Sequence, residues 1–504
     1  MADAKREIER KYEADESGLP DLTGVAGVAD ILDRGVVQLD ATYYDTADER
    51  LAAHAVTLRR RTGGTDAGWH LKLPVAPGVR DEIQAPLSDR LPGTLAALTR
   101  SRTRDAALIP VVRLRSARDL RHLVDADGTL LAEVSVDAVT AERLTGHGGT
   151  AQWTEIEVEL AEGTAPGFLD KVDKRLRKAG VRPSASPSKL ARALADTAPP
   201  DGTGHPERPK TPAEPVTAGD HVLAYVRAQR DAIIELDPAV RRDEYDSVHR
   251  MRVATRRMRS ALRCYGTVLD RTVTDPVGDE LKWLAAELGV DRDREVLTER
   301  ITAALGELPR TLVSGPVRAR LRTWAKARRG GSRRRLAGVL DSRRYLTLLD
   351  TLDALVAEPP LLPAAAGKPK KVIAKAVRKE FGKVSALIEQ AIDIPSSRER
   401  DVAIHEARKK SKRTRYAAEA ATPVLGDPAA DLAQAMKSLQ TLLGDHQDSV
   451  MARQALRELS AVAHAAGENT FTYGVLYGRE EQRAAAVEAG LPEAWQQAAS
   501  RAPG

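Results

Sequence analysis

Two patterns of apolar and polar positions divide the chain. Up to about residue 196, apolar and polar residues alternate in short runs such as REIERKYE, VTLRRRT, WHLKLPV, RHLVDADGTLLAEVSVDAVTAERL and WTEIEVEL. Period-two alternation predicts half-buried strands. The turn signals Gly63-Gly64 and Asp127-Gly128 between runs predict hairpins, hence antiparallel β structure. Beyond residue 219 the period becomes helical. Ala/Leu/Arg-rich segments, punctuated at Asp275-Pro276, Gly330-Gly331, 358–369 and Gly426-Asp427-Pro428, predict an all-α region. The stretch between them, 197–219, holds six prolines and no apolar period, so it reads as a semi-stiff linker. The expected organisation is a β domain over 3–196, a Pro-rich linker over 197–216 and a helical domain over 217–485.

The helical part repeats itself. VHRMRVATRRMRSALRCY (248–265) returns as IHEARKKSKRTRYAAE (404–419) at an offset of 156, and LAAELGVDRDREV (284–296) as SLQTLLGDHQDSVM (438–451) at 155. Two blocks at nearly one offset predict duplicated helical bundles, about 217–355 and 368–485.

Composition then removes several classes. The chain of 504 residues is long enough for two to four domains. Its single cysteine, Cys264, excludes a disulfide framework and a Cys-based zinc site. No apolar run approaches the roughly 18 residues of a membrane span. The charged start MADAKREIERKYEADE does not read as a secretory signal, so a cytoplasmic location is expected. Aromatics at 4% argue against a base-stacking platform for single-stranded nucleic acid. The net charge of +6 hides an asymmetry: residues 1–200 carry 28 basic and 31 acidic groups, residues 201–504 carry 50 and 41. The second part therefore invites an anionic partner.

Charges alternate on the strands. Glu7, Glu9 and Lys11 share one face, as do Arg59 with Arg61, Arg113 with Arg115, Glu133 with Ser135 and Asp137, and Glu155 with Glu157 and Glu159. One such strand is ordinarily a solvated face with cross-strand ion pairs. Several together, each with an apolar reverse side such as Ile156 and Val158, suit a closed barrel whose interior mixes carboxylates with Arg and Lys. Carboxylates bind hard divalent cations and Arg/Lys bind phosphate oxygens, so a metal-bound polyanion such as a triphosphate fits that lining.

On the helices, His249, Arg252, Arg256, Arg259 and Arg263 fall within an arc of about 80°, and His405, Arg408, Lys412 and Arg415 repeat the first four steps. A solvated helix face is the ordinary alternative, but this one lacks the interleaved Glu that i,i+4 pairs would want. Nucleic-acid phosphates and a polyphosphate are the two anion readings. Metal binding by these isolated histidines ranks last. Each His could face phosphate or satisfy a helix contact, with Asp293 or Asp448 as partners; the phosphate-facing role is narrowly preferred.

Glu7-Ile8-Glu9-Arg10-Lys11 matches the ExExK signature of CYTH domains, the triphosphate tunnel metalloenzymes. The resemblance continues through Tyr43-Tyr44-Asp45-Thr46, Leu58–Arg61, Leu71-Lys72-Leu73, Arg80 with Glu82, Arg113 and Arg115, the EIEVEL strand and Ser188-Lys189. It implies an eight-stranded antiparallel β tunnel barrel with flanking helices that hydrolyses or cyclises triphosphates with Mg²⁺ or Mn²⁺. By resemblance, Glu7, Glu9, Glu155 and Glu157 would be metal ligands or water-orienting groups, with Glu133 or Asp137 as helpers. Lys11, Arg59, Arg61, Lys72, Arg113, Arg115 and Lys189 would hold phosphates, and Glu7, Glu9 and Lys11 would be the catalytic core. Arg60 should point outward by parity.

The helical segments resemble CHAD domains through HxxRxxxRRxR at 249–259, LGxxRD at 288–293, HxxRKxxKRxR at 405–415 and LGDHQD at 443–448. That resemblance implies polyphosphate binding by His249, Arg252, Arg256, Arg259, Arg263, His405, Arg408, Lys409, Lys412 and Arg415. Lys375, Arg378 and Lys379 are candidate extra contacts, and Arg328, Arg329 and Arg333–Arg335 are a solvated basic loop of lower weight. Together the two resemblances imply a metal-dependent triphosphatase with a polyphosphate-capturing module, associated with polyphosphate granules and needing no membrane partner. A non-catalytic polyphosphate scaffold remains the main alternative, and a nucleotide or thiamine triphosphatase or adenylate cyclase the further one.

Overall fold

The computed structural model describes residues 3–14, 18–146, 148–199, 214–289, 292–326 and 329–501, and the side chains among them except those of 3, 292–295, 326 and 329–332. Most of the Pro-rich linker, residues 200–213, therefore lies outside the described residues. The chain forms two compact units, Met1–Pro212 and Ala213–Gly504.

The first unit is built on one sheet. Its strands are β1 (Asp3–Glu13), β2 (Asp30–Asp45), β3 (Thr57–Thr62), β4 (Gly68–Ala76), β5 (Val79–Pro86), β6 (Ile109–Val124), β7 (Leu130–Arg143), β8 (Thr150–Leu160) and β9 (Arg182–Pro183). They run in the order β5-β4-β3-β2-β6-β7-β8-β1-β9. The β3–β4 hairpin turns at Gly63-Gly64 as the sequence predicts. Gly63 has φ +82°, and a Cβ there would meet the Gln38 carbonyl oxygen at 2.1 Å, so no other residue fits.

The expected eight-stranded antiparallel β tunnel barrel is corrected: the sheet does not close into a barrel. The sheet has nine strands, and its ends are not joined by a complete ladder. β1 is divided: Asp3–Ile8 pair only with β5, while Glu9–Glu13 pair with β8, and Tyr12 and Glu13 also with β9. The reason lies in the neighbours' lengths. The β4–β5 hairpin turns at Pro77-Gly78, so β5 has no residue left beyond Val79, and the Glu9 amide donates instead to the Gly78 turn carbonyl (3.0 Å). On the other side β8 stops at Leu160, opposite Ala132, and cannot follow the first half of β1.

Helices α1 (Arg50–Ala53), α2 (Gly93–Thr103), α3 (Gly167–Lys178) and α4 (Lys189–Asp196) flank this sheet. The apolar sides of the strands pack outward on them. Tyr12, Val134, Ile156 and Val158 meet Phe168, Leu169, Val172 and Leu176 of α3. Leu58, Leu71 and Ile83 meet Leu95 and Leu98 of α2. Burying these side chains contributes roughly 1.5–3 kcal/mol each, and it leaves the alternate, charged sides of the strands facing one another.

The second unit is entirely helical among its described residues, apart from one isolated bridge between Leu269 and Leu361. It comprises α5 (Ala218–Arg241), α6 (Ser247–Cys264), α7 (Arg271–Glu287), α8 (Arg292–Gly306), α9 (Val317–Lys326), α10 (Arg329–Asp341), α11 (Arg343–Ala357), α12 (Pro369–Asp393), α13 (Arg398–Leu425), α14 (Asp427–Ala465) and α15 (Phe471–Ala499). A capping box between Thr217 and Asp220 starts α5, and the Ser397 side chain caps α13. One motif helix, α6, lies between α5 and α7, and the other, α13, between α12 and α14. The core threads Met251, Ala254 and Met258 of α6 with Ile404, Ala407 and Ala418 of α13. No helix among the described residues is long and apolar enough to cross a membrane.

Candidate functional site

Ladder register decides which side chains of the first unit meet. Lys11 lies opposite Glu157, Ser135 opposite Glu157 on the other side, Arg118 opposite Asp137, and Lys72 opposite Glu82. Partners across a ladder point to the same face. Of these, Lys11, Lys72, Glu82, Arg118 and Glu157 line a cavity of about 630 Å³, together with Lys5, Glu7, Glu9, Arg59, Arg61, Arg80, His122, Glu133, Glu159 and Lys189, whereas Ser135 and Asp137 are not in its lining.

Inside it, each carboxylate group is matched by a base. The Lys72 ammonium donates to Glu7 (2.6 Å) and stands 3.8 Å from Glu82. Lys11 lies between Glu9 (3.2 Å) and Glu157, to which it donates. Lys189, the first residue of α4, reaches Asp137 (2.9 Å), Glu155 (2.7 Å) and Glu157 (2.7 Å). Arg118 donates to Asp137 (2.7 Å) and Glu157 (3.0 Å). Arg59 donates to the Tyr43 hydroxyl (3.3 Å).

The titration shifts follow from this arrangement. Burial, only partly offset by Lys72 and reinforced by Glu82, pushes Glu7 up to about 7. Burial would raise Glu157 too, but Lys11, Lys189 and Arg118 hold it well below the usual carboxylate range. Burial together with Arg59 and Arg118 brings Arg61 down to about 9. Cations crowd as closely as carboxylates do.

The carboxylates of Asp137, Glu155 and Glu157 present oxygens within 4.8 Å of one another. Three hard oxygen donors at that spacing fit a divalent cation. Glu155 adds a buried oxygen, Oε1, that is near Lys189 but has no aligned hydrogen bond. Glu7 and Glu9, expected in the same set, stand apart from it: Lys72 holds one and Lys11 separates the other from Glu157.

Arg113 and Arg115 are a correction. They are absent from the cavity lining; both turn to Asp40 on the opposite face of β6, Arg113 at 2.6 Å and Arg115 at 3.7 Å. The inward positions of β6 are the even ones, and they carry Arg118, Leu120 and His122. No spacing or motif in the chain marks Arg118. Arg60 points outward as parity requires, donating to the Ser88 carbonyl (3.0 Å).

In the second unit, α6 and α13 bring two basic faces together. Arg252, Arg256, Arg408 and Arg415 all lie within electrostatic reach of Lys412. The Arg252 guanidinium rests on Gly289, where a Cβ would come within 2.6 Å of it, and Arg408 rests on Gly444, where the gap is 3.5 Å. The Arg of each motif helix is thus seated on the Gly of the following LG motif. Arg415 also pairs with Glu419 (3.3 Å) and stacks 4.7 Å from the Tyr416 ring centre.

Further along, Arg259 neighbours Arg263 and Arg413, and Lys410 neighbours Arg413, Lys383 and Arg263. The α12 residue that joins this group is Lys383; Lys375, Arg378 and Lys379 are exposed elsewhere on that helix. Lys410 and Lys383 lie off the repeated positions and had no spacing signal, whereas Arg413 stands inside the HxxRKxxKRxR motif, equivalent to Arg257 of the first copy, without being singled out. His249 and Lys409 are exposed. His405 hydrogen-bonds Gln447, a helix contact made by a different residue than Asp448. Arg333 and Arg335 pair with Asp243 (3.4 Å) and Glu287 (2.7 Å). The side chains of Arg292, Asp293 and Arg329, and all of Arg328, lie outside the described residues.

Asp401, His446 and Glu488 form a second group with ligand spacing. Arg453 (3.6 Å from Asp401) and Arg400 (3.3 Å from Glu488) already balance its carboxylates.

Residues 5–194 match the CYTH domain family and residues 224–457 the CHAD domain family. A Mycobacterium tuberculosis protein described as uncharacterized, recorded in two strains, is 41% identical over 491 residues, covering 94% of this chain and 92% of its own length. Among solved structures, PptA from Streptomyces chartreusis is 22% identical with a TM-score of 0.47, over 56% of this chain and 99% of that one. The CHAD domain from the plant Ricinus communis is 25% identical with a TM-score of 0.44, over 55% and 92%.

Proposed function

The chain belongs to the CYTH family over residues 5–194 and to the CHAD family over residues 224–457, and from that premise we propose that its first unit hydrolyses inorganic triphosphate or a related triphosphate with a divalent metal while its second binds polyphosphate. One observation carries the reading: the described lining of the cavity holds nine Lys and Arg against seven Asp and Glu. A ligand of a single charge sign would strand the other set. An anion alone would draw Lys72 and Lys11 from Glu7 and Glu157 and leave buried carboxylates unpaired, which costs several kcal/mol each. A polyanion that arrives with a divalent cation satisfies both sets.

In this reading Asp137, Glu155 and Glu157 would hold the metal. Bound there, Mg²⁺ or Mn²⁺ would neutralise phosphate charge and acidify water. Lys11, Arg59, Arg61, Lys72, Arg118 and Lys189 would hold the phosphates. Glu7, poised near neutrality by burial, would accept the proton of the water that attacks the terminal phosphorus, as the P–O bond to the leaving pyrophosphate breaks. The only aromatic ring of Phe, Tyr or Trp in the described lining is Tyr43, and its hydroxyl holds Arg59. With a single such ring to stack a base, inorganic triphosphate is favoured over a nucleotide.

The test is phosphate release by the full chain from inorganic triphosphate, ATP and polyphosphate, with and without Mg²⁺ and Mn²⁺. Turnover should require the metal and prefer inorganic triphosphate. Glu157→Gln should reduce kcat about 100-fold or more at an unchanged far-UV spectrum. Polyphosphate binding with no turnover under any divalent ion would leave the scaffold reading standing instead.

A further inference from the structure

The carboxylates of Asp137, Glu155 and Glu157 already surround a cation. The Lys189 ammonium stands 2.9 Å from Asp137 and 2.7 Å from both Glu155 and Glu157, and the same three groups present oxygens within 4.8 Å of one another. A divalent cation takes oxygen ligands at roughly 2.0–2.6 Å, so the space among them cannot hold both. Lys189 is only 9% exposed. Its nitrogen is buried and aligns a hydrogen bond with none of the three, and Oε1 of Glu155 is in the same state. An ammonium must aim its three donors; a cation with no N–H to aim meets no such conflict. The backbone fixes where this side chain starts. Ser188 caps α4 by accepting the Ala191 amide (3.1 Å), and Leu190, Ala193 and Leu194 pack with Leu114 of β6 and Val139 of β7. Lys189 and Glu157 line the cavity, whereas Asp137 and Glu155 are buried and do not. A metal ion coming from the cavity therefore reaches Asp137 and Glu155 only by taking the place of the ammonium.

We propose that the Lys189 ammonium is the resting occupant of the metal position, and that it yields this position to a divalent cation only as a triphosphate arrives to receive it. The inference rests on the metal-dependent triphosphate reading of the cavity. Charge decides the order of events. Among the described residues the three carboxylates meet three bases, Lys189, Arg118 and Lys11. Exchanging the ammonium for a divalent ion, with the lysine still lining the cavity, turns that balance into an excess of positive charge. A buried excess of one sign is costly. A triphosphate in the cavity cancels it and offers phosphate oxygens to the freed ammonium. Metal and triphosphate should therefore bind well together and poorly apart, each raising the affinity of the other by the same factor. Without the lysine that dependence is lost on the metal's side: the carboxylates, deprived of their base, should take the ion on its own.

The experiment titrates the full chain with Mn²⁺ alone, no phosphate present, and follows the free ion by electron paramagnetic resonance. Lys189→Met should bind Mn²⁺ at least about tenfold more tightly than wild type, since the metal then relieves buried carboxylates that have lost their base. The double variant Lys189→Met/Glu155→Gln should lose that gain, which places the ion at this cluster rather than at Asp401, His446 and Glu488. Thermal unfolding is the second readout. Without metal, Lys189→Met should unfold at a lower temperature than wild type, and Mn²⁺ should raise its unfolding temperature by more than it raises that of wild type. If Lys189→Met does not fold, Lys189→Gln carries the same comparisons. Equal Mn²⁺ affinity in wild type and Lys189→Met, including no binding by either, overturns the inference, and so does a gain that survives Glu155→Gln. Metal-dependent phosphate release from inorganic triphosphate by wild type then leaves the reading of the cavity standing; if that release is absent too, the reading falls with the inference.

Discussion

A guanidinium gains most from its partners where water is excluded, and Arg118 is such a group, held by Asp137 at 2.7 Å and Glu157 at 3.0 Å beside the carboxylate cluster. Arg113 meets Asp40 on the outer face of the same strand, where solvent screens the pair. Arg118→Ala should therefore lower kcat/KM for inorganic triphosphate by about 100-fold, while Arg113→Ala stays within about twofold. Phosphate release by the full chain checks both, with thermal unfolding to monitor the fold; the opposite order would remove Arg118 from the site. The contrast also marks what one sequence can say about a residue. Glu7, Glu9 and Lys11, Arg59 and Arg61, and Glu157 line one cavity, and strand parity groups them strand by strand; Lys72 and Lys189, which line it too, were marked only by the family resemblance. Parity misled on β6 because charge there does not mark the inner face. Leu114 shares the parity of Arg118 but packs against Leu190, Ala193 and Leu194 of α4. At that end the inward positions are apolar, and Arg113 and Arg115 on either side of Leu114 imitate an inward pair.

At the scale of elements, the packing of α6 on α7 and of α13 on α14 gives each LG motif a physical task. At Gly289 an added methyl group would stand 2.6 Å from the Arg252 guanidinium, so that side chain would have to leave its seat. At Gly444 the nearest atom of Arg408 is 3.5 Å away, an ordinary contact. Gly289→Ala should weaken polyphosphate binding several-fold with little change in stability, because the displaced group is the end of a flexible side chain. Gly444→Ala, within the long helix α14, should leave binding unchanged and add about 1 kcal/mol of stability from helix propensity. Calorimetric titration and thermal denaturation separate the two, and equal binding losses would refute the seating argument. The repeat offset exposed the equivalence of the two motif pairs, but not that the Gly of one block carries the Arg of the other, since contacts between blocks have no period in sequence. The sheet divides in the same way. The Gly63-Gly64 hairpin is local and was legible. The division of β1 between β5 and β8 joins residues more than seventy positions apart and depends on where the Pro77-Gly78 turn ends a ladder.

For the molecule as a whole, the sequence-level charge asymmetry acquires a division of labour. In the first unit bases and acids are interleaved and nearly cancel, so a distant polyanion feels little net attraction to the cavity. In the second unit the bases of α6 and α13 stand together, and their field reaches farther at low ionic strength. On the proposed function, a long polyphosphate should then be held first by the helical unit, which would raise its concentration about the first unit of the same chain. A short triphosphate, held by one unit at a time, gains nothing from that tether. The double variant Arg252→Ala/Arg256→Ala should accordingly raise KM for long-chain polyphosphate by about tenfold or more while leaving kcat/KM for inorganic triphosphate within about twofold. Steady-state phosphate release over a series of chain lengths checks this, and the loss should grow with length and fade as salt is added. An equal loss for both substrates would mean that the helical face serves the cavity in some way other than by holding the polymer.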